Sequence, residues 1–116
     1  MGTSVINFLL LLVAIVLFLP LSIINIFLVV FKGGNVSDYF KETAIDIDRF
    51  GNRNFRTLLN TTLQESGYKF GDERETISSA LGKNKRDRTL TKTGRILCSI
   101  LDFLDNNHCI KSIKEL

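Results

Sequence analysis

From Met1 to Phe31 the chain carries no Asp, Glu, Lys or Arg, and all fifteen Lys and Arg and all twelve Asp and Glu follow. A run apolar on every face cannot lie on the surface of a small soluble fold. The stretch Val5–Phe31, VINFLLLLVAIVLFLPLSIINIFLVVF, would extend roughly 40 Å as a helix, against ~30 Å of bilayer hydrocarbon. It is therefore predicted to span a membrane with some tilt. Its polar residues are Asn7, Ser22 and Asn25. Pro20 lies mid-span, where a kink is tolerated if neighbours or Ser22 satisfy the freed carbonyl. Ser22 and Asn25 are the candidates for polar contacts within the membrane, and Asn25 offers a route to homo-oligomers by bonding a second helix. A cleaved signal peptide fits less well, because the start is not basic, the apolar core is too long and Lys32-Gly33-Gly34 is a poor exit.

Flanking charge sets the expected orientation. No Lys or Arg precedes the span, and Lys32, Lys41, Arg49 and Arg53 follow it. The positive-inside rule then puts the N-terminus outside and the remainder in the cytoplasm. Residues 1–32 form the anchor and 33–116 a domain small enough to be only marginally stable on its own core. That domain is asymmetric in charge: Gly33–Gly82 has six basic and eight acidic residues, and Lys83–Leu116 eight basic and four acidic. Two cysteines, Cys98 and Cys109, do not make a disulfide framework; Cys98 reads as a small core residue, and a reducing compartment fits best.

Helical periodicity recurs and strand-like alternation is absent, so the expected fold is all-α, an N-terminal transmembrane helix followed by four or five short helices. Ser37 is the expected cap of a helix that ends near Phe50-Gly51 and presents Phe40, Ala44 and Ile47. A second helix, from about Asn54 to Gln64, would use Phe55, Leu58, Leu59 and Thr62. Gly67–Gly71 reads as a turn with two aromatic anchors, and Asp72 with Glu75 as a capping box. A short helix burying Ile77, Ala80 and Leu81 would stop at Gly82. After a basic loop, 83–95, Thr91 or Thr93 would cap a helix whose Leu97, Ile100, Leu101 and Leu104 form the expected core stripe, with Ile96 beside it. Asn106-Asn107 ends it, before a last turn at Ile110 and Ile113.

Three groups of residues invite a chemical reading. The stretch KNKRDRTLTKTGR carries Lys83, Lys85, Arg86, Arg88, Lys92 and Arg95 against one Asp. As a solvated loop it does nothing; otherwise it contacts anionic lipid or, less favoured without interleaved aromatics, nucleic acid. Asp102, Asp105, His108 and Cys109, with Cys98 as a further ligand, are weak metal candidates whose spacing matches no zinc pattern. Local capping and pairing of the carboxylates, with His108 bonding the helix C-terminus, is the favoured reading. Glu75, Thr76, Ser78 and Ser79 offer an acid and nucleophiles, but His108 is the sole histidine and capping accounts for Glu75. No cofactor motif, glycine-rich phosphate loop or lipidation signal is present. The sequons at Asn35 and Asn60 would face the cytoplasm.

FGNRNFRTLLNTTL (Phe50–Leu63), GYKFGDERETISSALGK (Gly67–Lys83) and ILCSILDFLDNNHCIKSI (Ile96–Ile113) together resemble a family of small, largely uncharacterised bacteriophage and prophage proteins. The anchor lies outside the resemblance. It implies a compact helical domain at a bacterial inner membrane or in a virion, and a recurring polar arrangement of Glu75, Ser78, Ser79, Asp102 and His108. It implies no activity. The expected function is that of a non-enzymatic, membrane-anchored accessory protein, with the lipid bilayer and a host or phage protein as partners. The alternatives are a tethered nucleic-acid-binding module using Lys83–Arg95 and a metal-dependent enzyme.

Overall fold

The computed structural model describes Gly2–Leu116. Six helices follow in order: α1 Thr3–Phe31, α2 Val36–Asn54, α3 Arg56–Thr62, α4 Ile77–Asp87, α5 Lys92–Leu104 and α6 His108–Lys111. No strand occurs among the described residues, and the one β-bridge joins Gln64 to Leu90. The all-α expectation holds. The chain divides into two compact units, residues 1–41 and 42–116.

In the first unit, α1 is an uninterrupted helix of 29 residues, long and apolar enough to cross a membrane, with no residue buried. Pro20 lies inside it. Ser22 Oγ donates to the Phe18 carbonyl at 2.7 Å. It therefore does not reach the Val16 carbonyl, the one that Pro20 leaves without an i→i−4 donor. Gly33, at φ +71°, breaks the helix, and Gly34 N–H closes back on the Val29 carbonyl. Asn35, not Ser37, caps α2, its Oδ1 accepting the Asp38 N–H at 3.1 Å. Either side chain type suits the position; the chain simply enters helix two residues earlier.

The second unit is built around α4, against which α5 and α6 pack. Its buried apolar set is small: Leu63, Phe70, Ala80, Leu81, Leu90, Cys98 and Cys109. Thr76 caps α4 by accepting the Ser79 N–H, so Asp72 and Glu75 do not form the expected box. Nor does α4 stop at Gly82. It runs on to Asp87, and at Gly82 the missing side chain leaves room for the Cys109 carbonyl to pack against the helix. Much of the expected basic loop is therefore helix, and the turn comes at Arg88, φ +61°. Thr91 caps α5 as expected, accepting from Gly94 N–H, and its hydroxyl ties this corner to the Thr62 carbonyl at 2.6 Å.

Three further expectations fail on detail. α2 continues past Gly51 to Asn54, and it buries Gly51 and Asn52, not Phe40 or Ile47, which are exposed. On α5 the inward face is Gly94 and Cys98, with Leu97 and Leu101 half-buried; Ile96, Ile100 and Leu104 are exposed. The apolar arc of this helix is wide, bounded by a polar face of Lys92, Arg95, Ser99 and Asp102, so its pattern could not say which part of the arc faces inward. Finally, α6 folds back over α5 and joins Cys109 to Cys98 in a disulfide, Cα atoms 6.1 Å apart, where separate thiols were expected. Eleven residues of separation gave no sign of this, because Asn107 makes the reversal in the left-handed region.

Candidate functional site

The interior of the second unit is unusually polar, and the sequence hid this. Glu75 is wholly buried. It accepts from Tyr68 Oη at 2.7 Å and Ser79 Oγ at 2.6 Å, and pairs with Lys83 Nζ at 2.6 Å. Lys83 is itself buried and lies over the Tyr68 ring. Burial pulls its pKa down, but the bonds to Glu75 and Tyr68 outweigh that and leave it raised. Burial and the Glu75 bond likewise push the Tyr68 phenol up. Lys83 is thus removed from the set of lipid- or nucleic-acid-contacting cations. Its position i+8 from Glu75 puts both on one face of the same chain segment, a pairing legible only once Gly82 is known to be helical. Asn52, Asn60 and Asn84 complete the network by bonding main-chain groups of the 64–75 connection. Asn52 Nδ2 donates to the Asp72 and Glu75 carbonyls, Asn60 clamps both Phe70 main-chain groups, and Asn84 serves Tyr68. These amides satisfy main-chain groups of an irregular segment that sits against the core, with Asn52 Oδ1 itself left unpaired.

A second chain of polar groups links four elements. Asp48 on α2 accepts the Ile77 N–H at 2.8 Å through Oδ1, and its Oδ2 lies 3.0 Å from Ser78 Oγ. Ser78 Oγ is also 3.1 Å from His108 Nε2, and His108 Nδ1 is 2.9 Å from Asp105 Oδ2. Carboxylate, imidazole and hydroxyl in that order are the connectivity of a serine nucleophile relay. Two features oppose it. The hydroxyl has one proton and two competing acceptors. The N–H groups that could receive an oxyanion at the start of α4 are already engaged, Ile77 by the Asp48 carboxylate and Ser79 by Thr76, which leaves a fixed negative charge where one would have to develop. The same bonds work well as a staple between α2, α4, the end of α5 and α6.

The weak metal candidates separate into two groups. Asp105 and His108 belong to the staple, with Lys111 and then His108 holding the Asp105 carboxyl below its usual range. Cys98 Sγ, a carboxylate oxygen of Asp102 and Cys109 Sγ do lie within 4.8 Å of one another. Joined as a disulfide, however, the sulfurs are not thiolates, and Asp102 is occupied by the Cys109 N–H at 3.0 Å and by Lys85 at 2.8 Å. These two bonds, the backbone one first, hold its carboxyl low.

Of the remaining cations in 83–95, Lys85 pairs with Asp102, Arg86 with Asp87 and Glu115, and Arg95 donates to the Leu90 carbonyl. Arg88 and Lys92 are exposed. Lys92 and Arg95 border an exposed patch of Phe103, 89% exposed, with three residues that periodicity had assigned to the core, Ile96, Ile100 and Leu104, the last 75% exposed. Comparison with protein-family models, with curated proteins and with solved structures found no match for this chain.

Proposed function

We propose that this is a non-enzymatic, membrane-anchored accessory protein of a phage-bearing bacterium, held by α1 in the inner membrane or, alternatively, in a virion. Its second unit works at the bilayer by seating the outer face of α5 on anionic lipid. The observation that carries this reading is the exposed apolar patch Ile96, Ile100, Phe103 and Leu104 with Lys92 and Arg95 at its edge. A helix with an apolar face and cationic border suits a headgroup–acyl boundary, where each Lys or Arg near an anionic surface contributes about 1 kcal/mol. Nucleic acid is the weaker reading, since Lys83 is buried and Lys85 and Arg86 are already paired.

Orientation has two opposed signals. The disulfide favours an oxidising compartment, and the flanking cations favour the cytoplasm. The cations are read during insertion, before the domain folds, and a later disulfide cannot reverse them. The proposed orientation is therefore the cytoplasmic one, where the Cys98–Cys109 bond is open to reduction.

The chain has no tryptophan, so Phe103→Trp gives a clean reporter. In nanodiscs holding one full-length copy, emission from the introduced indole should shift to the blue and be quenched by brominated acyl chains when phosphatidylglycerol is present. Lys92→Glu with Arg95→Glu should abolish both. Water-exposed emission in every lipid composition, or a shift only when two copies share a disc, would reject the bilayer as the occupant.

A further inference from the structure

Cys98 and Asp102 lie one turn apart on α5, and α6 sets Cys109 against both, so that two sulfurs and a carboxylate oxygen lie within 4.8 Å of one another. Both cysteines are buried, with Cα atoms 6.1 Å apart. The Asp102 carboxyl is held below its usual range, first by the Cys109 N–H and then by Lys85, and so is ionised at neutral pH. In an oxidising compartment the disulfide satisfies this corner. In the reducing compartment proposed above, a cellular thiol such as glutathione returns the pair to two cysteine thiols and leaves as its own disulfide. α6 then loses its covalent tie to α5, and a helix of four residues does not hold itself. Two soft sulfur donors beside a fixed carboxylate suit a borderline-soft divalent ion.

We infer that the reduced chain binds zinc through Cys98, Cys109 and Asp102, so that this corner is tied by a disulfide when oxidised and by a metal ion when reduced. Occupancy in cells rests on the cytoplasmic orientation proposed above. On binding, each thiol gives its proton to solvent, and two thiolates and a carboxylate meet the two positive charges of the ion. Lys85, Arg88 and Arg95 line the same cavity of about 280 Å³ as Cys98 and Asp102, and they offset the negative charge that remains. That cavity gives the ion a way in and leaves room for water as a fourth ligand. Tetrahedral coordination needs the sulfurs about 3.8 Å apart, a spacing that side-chain rotation supplies. Asp102 Oδ1 keeps the Cys109 N–H at 3.0 Å as an orienting bond. Its Oδ2, 3.9 Å from Cys98 Sγ, exchanges the exposed Lys85 ammonium for the metal, and a surface ion pair of that kind is easily displaced.

The test uses the full chain in non-ionic detergent, reduced with a phosphine, and cobalt(II) as the probe, because its absorption tells thiolate from oxygen ligands. One equivalent should bind with a thiolate-to-cobalt charge-transfer band and tetrahedral visible absorption, and one equivalent of zinc should remove both. Cys98→Ser with Cys109→Ser should lose the band. Asp102→Asn should keep it but weaken binding at least about tenfold, the cost of losing even an outer-shell partner. Should the double variant fail to fold, the native chain oxidised to its disulfide serves as the folded control and must take up no cobalt through sulfur. Zinc should also restore to the reduced chain the protease resistance of the oxidised one. No charge-transfer band at one equivalent, a band in the oxidised chain, or affinity indifferent to Asp102→Asn would overturn the inference. Cysteines found disulfide-bonded in cells would overturn occupancy there but not binding by the reduced chain, which separates failure of the orientation from failure of the site.

Discussion

Lys83 and Glu75 show how a single residue's role can reverse between sequence and structure. In the sequence Lys83 opens a basic run and Glu75 looks like a helix cap; in the fold they are a buried ion pair with Tyr68 and Ser79 filling the remaining bonds. Removing one partner of such a pair typically costs about 3–5 kcal/mol, because the other charge is stranded, whereas replacing both with apolar groups of similar size is much milder. Glu75→Leu should therefore unfold the second unit, and Glu75→Leu with Lys83→Met should restore it. The pair also sets the alkaline limit of stability. A cation with a raised pKa stabilises below its unfolded value, 10.5, and loses that contribution as pH rises through the folded value; Tyr68, raised from 10.0 as a neutral phenol, acts in the same direction. Denaturant unfolding followed by hydrogen exchange should show stability falling above roughly pH 10.5 in the native chain and much less in the double variant. An identical pH profile for both would mean that the pair contributes no linked stability.

At the level of elements, α4 is the organiser, and Gly82 decides how it meets α6. In an isolated helix Gly→Ala gains roughly 1 kcal/mol. Here an added Cβ would strike the Cys109 carbonyl and Ile113, main chain among them, so α6 would have to move. Gly82→Ala should lower the unfolding free energy by about 1–3 kcal/mol. Gly51→Ala on α2 meets mainly the flexible end of Ile77 and should be near neutral. Limited proteolysis of both full-length variants measures this, and a Gly82→Ala chain more resistant than the native one would show that α6 does not pack as described. The α5 stripe carries the complementary lesson. Leu97 and Leu101 do face the interior, but the equally periodic Ile100 and Leu104 do not, since an apolar arc wider than the buried contact leaves open which part of it turns inward until its neighbours are placed.

For the whole molecule, topology is the property most open to direct test. With the second unit in the cytoplasm, Cys98 and Cys109 should both be alkylated in cells lysed into denaturant with maleimide and no reductant. Protection until a reductant is added would place the unit in an oxidising compartment and reverse the orientation drawn from Lys32, Lys41, Arg49 and Arg53. Either outcome leaves the proposed lipid contact of α5 open to examination in nanodiscs, where both faces are accessible.

The sequence by itself determined the long apolar helix, the all-α class and a threonine cap for α5 at 91 or 93, because charge absence, periodicity and capping chemistry are local and need no neighbours. Only the tertiary structure decided which charges are buried, which side of α5 is bare, that Cys109 meets Cys98, and that Asp48, Ser78, His108 and Asp105 form one chain of bonds. Those outcomes depend on contacts between residues as far as thirty apart, such as Asp48 with Ser78. A local pattern can show that a side chain is polar, but its partner is fixed only when separate helices are brought together.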